Sequence, residues 1–457
     1  MRGKSLLILA ILVVLGGAGI FFFERHSLTT DEQKERAEKL FGDLERDKVV
    51  GLEITGSKGS FVLAKKDDAW RLSKPVDYAA DDSAVSTLLG SLLGLEAERR
   101  LGAGEVDPAA YGLDKPEVEV VMIDNSGVRH TLAVGAETPL GNNRAVSLGT
   151  DEVILVSSWF ARDLDKPLDE WRSHEVVDVY ADQLASLEVT SREDRISAVR
   201  DGEQWKLLAP VEDLADREHL RSLVSELNAL RVEEFVTPQP EAAQDLGFTQ
   251  PEYRVTLVRS EGKEPITLDF GARRDKASTT QVACRRNGSD TFWVRDQVLT
   301  RLAKAPVLWR SKVLYPFDTW NVESISISAG DTSIKAARTE GLWKLDDGSD
   351  ADYNAVQDRL TSLSKLEAVD FDLVPSGTAT LGEVEITLKA FGEDAATTTV
   401  HFRFSAPLQA GGKVLVSVDQ RPSLMSVEAA SVDALLSNLD ALRAPKEEES
   451  TTSDEEE

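Results

Sequence analysis

Side chains able to do chemistry are sparse in this 457-residue chain. The five histidines, His26, His130, His174, His219 and His401, are scattered. None stands at metal-ligand spacing from another or from Cys284, so no zinc-type site is expected. Cys284 is the sole cysteine, which excludes an intramolecular disulfide. Arg285 and Arg286 could lower its pKa, but no histidine lies nearby in sequence to complete a nucleophile pair, and it reads as a small buried hydrophobe. Paired carboxylates occur at Asp67-Asp68, Asp81-Asp82 and Asp346-Asp347. Acid–base work needs environments that push two pKa values apart, whereas these pairs fall in turns and at helix starts, where turn formation and capping account for them. Asn287-Gly288-Ser289 matches a glycosylation sequon, yet Asn-Gly is first a hairpin turn. No nucleophile elbow, phosphate-cradling loop or dinucleotide fingerprint is present. The expectation is a protein without catalytic residues, cofactor or metal.

What the chain does repeat is structural. Trp70, in Ala-Trp-Arg-Leu-Ser-Lys-Pro, returns as Trp205, in Gln-Trp-Lys-Leu-Leu-Ala-Pro, 135 residues on. Pro75 and Pro210 keep that offset, as do Asp81 and Asp216, Gly112 and Gly247, and Pro116 and Pro251. Gly135 and Gly271 lie 136 apart; Trp171-Arg172-Ser173 and Trp309-Arg310-Ser311 lie 138 apart. Trp343, in Leu-Trp-Lys-Leu, marks a third copy. A period this long signals tandem globular modules. Aromatics recurring at equivalent places read as shared core, since they bury large apolar areas. Arg172 and Arg310 each fall at a module junction, where a guanidinium can bind carbonyls or carboxylates of a neighbouring unit and hold two modules in a fixed pose.

Each copy opens with short alternating strands closed by its tryptophan: Val50–Thr55, Phe61–Ala64 and Trp70–Leu72 in the first. An Asp-led amphipathic helix follows, with Asp81, Asp216 and Asp352 as N-caps. Then come Tyr111-Gly-Leu-Asp-Lys-Pro or Leu246-Gly-Phe-Thr-Gln-Pro and four further strands. A second helix, Trp159–Trp171 or Gln297–Trp309, leads out. This order implies an α+β fold of mostly antiparallel strands, three modules in tandem. Copy three is abridged: no Trp-Arg-Ser closes it, and its last helix is expected over Val432–Leu442.

Charge and hydropathy set the surroundings. The balance of 52 basic against 80 acidic residues gives −28, which argues against a nucleic-acid partner and against docking on anionic lipid. Arg2 and Lys4 precede an apolar run from Leu6 to Phe23, long enough as a helix to cross a bilayer core at about 27 Å. A cleavable signal peptide ending at Gly16-Gly17-Ala18 is the rival; the run continues through Ile20 to Phe23, which favours a retained anchor. The positive-inside rule puts the amino terminus in the cytoplasm and the rest outside. The expected organisation is an anchor over 1–23, a charged helical stalk over 24–48, modules over 49–180, 181–317 and 318–443, and an acidic disordered tail over 444–457.

The succession of a short anchor, Trp-x-Leu-x-x-Pro, an Asp-led helix, Tyr-Gly-Leu-x-x-Pro, a strand pair ending in Gly and a closing Arg resembles the bacterial family catalogued as domain of unknown function 4340. The resemblance runs from about Val49 to Phe317 and more weakly to Arg443. Copy two departs with Leu246-Gly-Phe, and both closures read Trp-Arg-Ser in place of Leu-Arg-Asp-Lys. The resemblance implies a membrane-anchored extracytoplasmic protein of the bacterial inner membrane, associated with the permease and ATPase of a gliding-motility-type ABC transporter, and it carries over no catalytic residues. The alternative is a periplasmic module that binds glycan or another envelope polymer in clefts between modules.

Overall fold

The computed structural model describes residues 38–139, 142–202, 204–236, 246–260, 262–374, 380–389, 397–406 and 412–444. The expected anchor at Leu6–Phe23, residues 24–37 of the stalk and residues 445–457 of the tail lie outside them. Among the described residues no helix is long and apolar enough to cross a membrane. The chain divides between His174 and Glu175 into two compact units.

The first unit is built on one antiparallel sheet. Its strands are β1 (Val49–Gly56), β2 (Gly59–Lys66), β3 (Ala69–Lys74), β4 (Tyr78–Ala79), β5 (Arg99–Leu101), β6 (Val118–Asp124), β7 (Arg129–Glu137), β8 (Asn143–Ser147) and β9 (Val153–Ser157), in the order β4-β3-β2-β1-β6-β7-β8-β9-β5. The two runs of strands read from sequence are one sheet, because β1 pairs with β6 as well as β2, setting Leu52 opposite Met122 and Ile54 opposite Val120. Alternation puts Leu52, Ile54, Phe61, Leu63 and Leu72 on one face, and helix α1 (Asp82–Leu93) closes it with Val85, Leu88, Leu89 and Leu92. Asp81 caps α1 by accepting from Ala84 N at 2.8 Å.

The second unit holds two such sheets. Strands β10 (Leu184–Ser191), β11 (Arg195–Asp201), β12 (Gln204–Ala209), β13 (Asp213–Leu214), β14 (Glu234–Val236), β15 (Tyr253–Arg259), β16 (Ile266–Lys276), β17 (Thr279–Arg286) and β18 (Asp290–Arg295) repeat the first order strand for strand. The third sheet is shorter: β19 (Val322–Ala329), β20 (Thr332–Thr339), β21 (Leu342–Leu345), β22 (Thr380–Lys389), β23 (Thr397–Ser405), β24 (Lys413–Val418) and β25 (Arg421–Glu428) run β21-β20-β19-β22-β23-β24-β25. Asp216 caps α3 (Arg217–Ala229) and Asp352 caps α5 (Tyr353–Ser364), again at 2.8 Å.

Three local expectations are corrected. The second helix of each full copy is broken. The first copy has a 3-10 turn at Ser158–Asp163 and then α2 (Leu168–Trp171); the second has α4 (Gln297–Leu302) and then a 3-10 turn at Pro306–Trp309. Pro167 and Pro306 cannot donate into a continuing helix. The last helix is α6 (Ala429–Leu436), and left-handed Asn438 separates it from a 3-10 turn at Leu439–Leu442. Lys39–Lys48, expected in a charged helical stalk, belongs instead to the first globule: Phe41 and Leu44 are buried in its core, and Leu40 N donates to Leu95 O at 2.8 Å. That lead-in recurs. Lys39 bridges to Glu96, Glu175 to Arg231 and Val313 to Glu367, so each sheet is preceded by a strap laid beside the end of its helix.

Candidate functional site

The repeated tryptophans are core residues. Trp205 and Trp343 are buried, Trp70 is half-buried against the first core, and Trp171 and Trp309 are sealed completely. Trp171 donates Nε1–H to Lys166 O and Trp309 to Lys304 O, both at 3.2 Å, an identical bond in two copies. The peptide bonds before Pro75 and Pro210 are both cis. Gly112 and Gly247 are left-handed, with φ of 73° and 76°. Each lies in the turn that folds over the sheet face opposite α1 or α3. Tyr111 and Leu113 there pack on Leu101, Ala145 and Val153, while Leu246 and Phe248 join Ala283 and Trp293. Gly135 and Gly271 sit in strand bulges beneath those turns, and Ala272 N donates to Leu246 O at 2.7 Å. A Cβ on Gly271 would drive into that same carbonyl oxygen, which explains the spacing of the motif.

The Trp-Arg-Ser segments close the sheets. Trp171 O accepts from Asp81 N at 3.0 Å and Trp309 O from Asp216 N at 2.8 Å, while Arg172 bridges to Ala80 and Arg310 to Ala215. The third copy has the same closure with other residues: Leu442 O accepts from Asp352 N at 2.9 Å and Arg443 bridges to Ala351. Leu442 stands where tryptophan would, which hid this closure from sequence reading.

The three arginines do different work. Arg172 binds Asp169 of its own short helix and lies over the Tyr78 ring at 5.7 Å. Arg443 pairs with Asp347 at 2.7 Å on the surface. Arg310 enters a buried cluster between the second and third sheets. Asp213, which occupies the place of Tyr78 in the repeat, receives Arg310 Nε at 2.6 Å and Arg421 at 2.6 and 2.9 Å in a two-pronged grip. Arg421 also donates to Val313 O, Leu314 O and Ser311 O, which satisfies the strap of the third module. Arg310 Nη1 reaches Asp372 at 2.6 Å, and Ser423 donates to that same carboxylate. Phe371 lies under both guanidinium groups, 4.3 Å from Arg310 and 5.6 Å from Arg421. Burial works against the charge on Arg310, but its hydrogen bonds to Asp372 and Asp213 outweigh it and raise the pKa. Asp372 is held below the usual carboxylate range by Arg310 and Ser423. Leu214, next to Asp213, packs in the core of the third module. In the second module Arg286, from the end of β17, makes the matching grip on a strap by donating to Glu175 O and Val176 O.

The other chemistry-bearing residues lie in separate local clusters: His130 meets Asp124 at 3.2 Å, and His401 lies against Glu383 at 3.1 Å, Glu385 at 3.5 Å and Asp419 at 3.8 Å. Cys284 is buried in the second core, and burial pushes its thiol far up. His219 packs edge-on against Trp309 at 4.5 Å with Lys304 Nζ at 3.1 Å; burial, then the Lys304 charge, push it down to about 4. Asp67 and Asp68 form a left-handed turn, and Asp347 receives Ser349 in another. No group of three or more metal-ligating side chains converges among the described residues.

With the closures and turns placed, the repeat can be compared with known families. The family described as "Domain of unknown function (DUF4340)" matches residues 70–214 and 205–383. The chain belongs to the DUF4340 family. Both DUF4340 matches open on a repeat tryptophan, Trp70 and Trp205, and the first runs to Leu214. The first match therefore starts in β3, crosses the Trp-Arg-Ser closure and ends in the short edge strand β13; the second starts in β12, crosses the next closure and ends in β22 of the third sheet. Among solved structures the chain is similar to the DNA polymerase III β subunit of Thermotoga maritima, at 8% identity and a TM-score of 0.15, over 86% of this chain and 94% of that one. A comparison with curated proteins finds no match.

Sequence reasoning singled out Arg310 but missed Asp213, Arg421, Phe371 and Asp372. Its one available signal was an aspartate at the place that the first copy fills with Tyr78.

Proposed function

We propose that this DUF4340 protein is a non-enzymatic accessory subunit of an ABC transporter of the gliding-motility type. Leu6–Phe23 anchors it in the bacterial inner membrane, with the amino terminus cytoplasmic and the modules outside as an adaptor for the permease. The observation that carries this reading is the sealed cluster at Asp213. Taking charged groups out of water costs several kcal/mol each, and one side chain removed from such a set leaves a stranded charge. Here the return on that cost is a fixed pose of two adjacent modules, the property required of a spacer that presents a partner at a set distance. The repeated tryptophans and glycines support the same reading, because they serve the fold of each module.

Affinity purification of the tagged chain from native membranes in mild detergent tests the proposal. Permease and ATPase subunits should co-purify, and Asp213→Ala should lower their recovery. Recovery of the chain alone overturns it.

A further inference from the structure

The three sheets share a cross-strand row on the face turned away from the helices, and its composition differs between copies. In the first sheet the row is Glu119, Ala133 and Ser147; in the third it is Glu383, Arg403 and Ser417. In the second it is Arg254, Asp269 and Arg285. Asp269 is 3% exposed and is shared by both arginines, with Arg254 Nε at 2.6 Å and Arg285 Nη2 at 2.7 Å. Two copies of the same fold close without a buried carboxylate at this place, so folding alone does not demand it. What Asp269 does is orient two guanidinium groups.

Aromatic rings complete the orientation. Arg285 lies over Phe248 at 4.7 Å, and on the same face Arg274 lies over Trp293 at 3.9 Å. Arg274 and Lys276 share the single carboxylate of Glu234. Donors remain after these bonds: among the described residues, both terminal nitrogens of Arg254 and Nη1 of Arg285 and of Arg274 make no hydrogen bond. Charge sharpens the contrast. Residues 253–295 carry nine basic against five acidic side chains, whereas 118–157 carry two against five and 380–428 four against six.

We infer that the outer face of the second sheet, around Arg254, Arg285 and Arg274, is a docking site for a short carboxylate-rich segment of a partner polypeptide. Planar guanidinium forks held on aromatic rings match carboxylates two bonds at a time. A long polyanion is disfavoured, because beyond this sheet it would meet a chain of net charge −28. The site is independent of the transporter reading and stands or falls on its own experiment.

Fluorescence anisotropy of a labelled hexaglutamate peptide with the full chain tests it. Binding should weaken roughly tenfold between 50 and 200 mM salt, as screening of exposed charges requires, and hexalysine should not bind at this face. The variant Arg254→Glu, Asp269→Ala, Arg285→Ser installs the row of the first sheet, which avoids stranding a buried charge. It should keep the unfolding midpoint and lose binding at least tenfold. Absence of binding to the wild type at low salt, or undiminished binding to the triple variant, overturns the inference. Binding that emerges only after residues 446–457 are deleted assigns the face to the chain's own acidic end and overturns the partner in trans.

Discussion

Arg421 grips Asp213 across 208 residues of sequence, with Nε 2.6 Å from Oδ1 and Nη2 2.9 Å from Oδ2 and both side chains sealed from solvent. Removing either partner strands the other. Asp213→Ala should therefore lower the stability of the second unit by about 3–5 kcal/mol, read as a shifted urea midpoint. Replacing Asp213, Arg310 and Arg421 together with Leu, Met and Met should cost less than that single change, because no buried charge is left unpaired: Asp372, the other carboxylate on Arg310, is 61% exposed and keeps Ser423. A triple variant weaker than the single one would contradict this account.

Gly271→Ala places a methyl against Leu246 O, where backbone fills the space. Overpacking of this kind typically costs about 1–3 kcal/mol. Gly90, inside α1, has nothing within 4 Å of the same added atom. Gly90→Ala should gain about 0.5–1 kcal/mol through helix propensity. Thermal unfolding of the two variants should move in opposite directions.

His219 is buried as a neutral ring, its pKa pushed from 6.5 to about 4. A folded-state value below the unfolded one means that protonation favours unfolding. The contribution of His219 should be complete above pH 6.5, decline as pH falls from 6.5 to 4, and level off below. The loss should be on the order of 3 kcal/mol. Chemical denaturation at pH 7 and pH 4.5, compared between wild type and His219→Phe, isolates it: the difference between the two proteins should depend on pH across that window only.

Asp81, Asp216 and Asp352 cap their helices through the same bond to the third residue on. Changing any one to Ala should cost about 1 kcal/mol, and changing it to Asn should cost much less. Equal effects at all three positions would be read in urea titrations of the single variants.

Much of this was legible in the primary structure, for local reasons. Tryptophans, caps and turn glycines recur because each copy must solve the same packing problem, and alternation and helical spacing follow from their periods. That made the α+β class, the antiparallel pairing and the repeat readable. Pairing of β1 with β6 was not readable, since it joins strands separated by a helix and a turn. Pro167 and Pro306 signal the broken helices, and reading Trp159–Trp171 and Gln297–Trp309 as single helices left that signal unused. The closure at Leu442-Arg443 escaped because leucine replaces tryptophan, and the Asp213 cluster because its members meet only when two sheets come together.

The offset between the family unit and the sheet has an evolutionary corollary. A duplication that copies one unit, from tryptophan to tryptophan, inserts the second half of one globule, the intact seam, and the first half of the next. Every newly added joint is thus inherited whole from one that already worked, and the newly joined halves meet inside a globule, where the first half of one copy is followed by the second half of another. Growth by this route leaves each copy free to diverge, consistent with Asp213 standing where the first copy has Tyr78 and with the basic outer row of the second sheet.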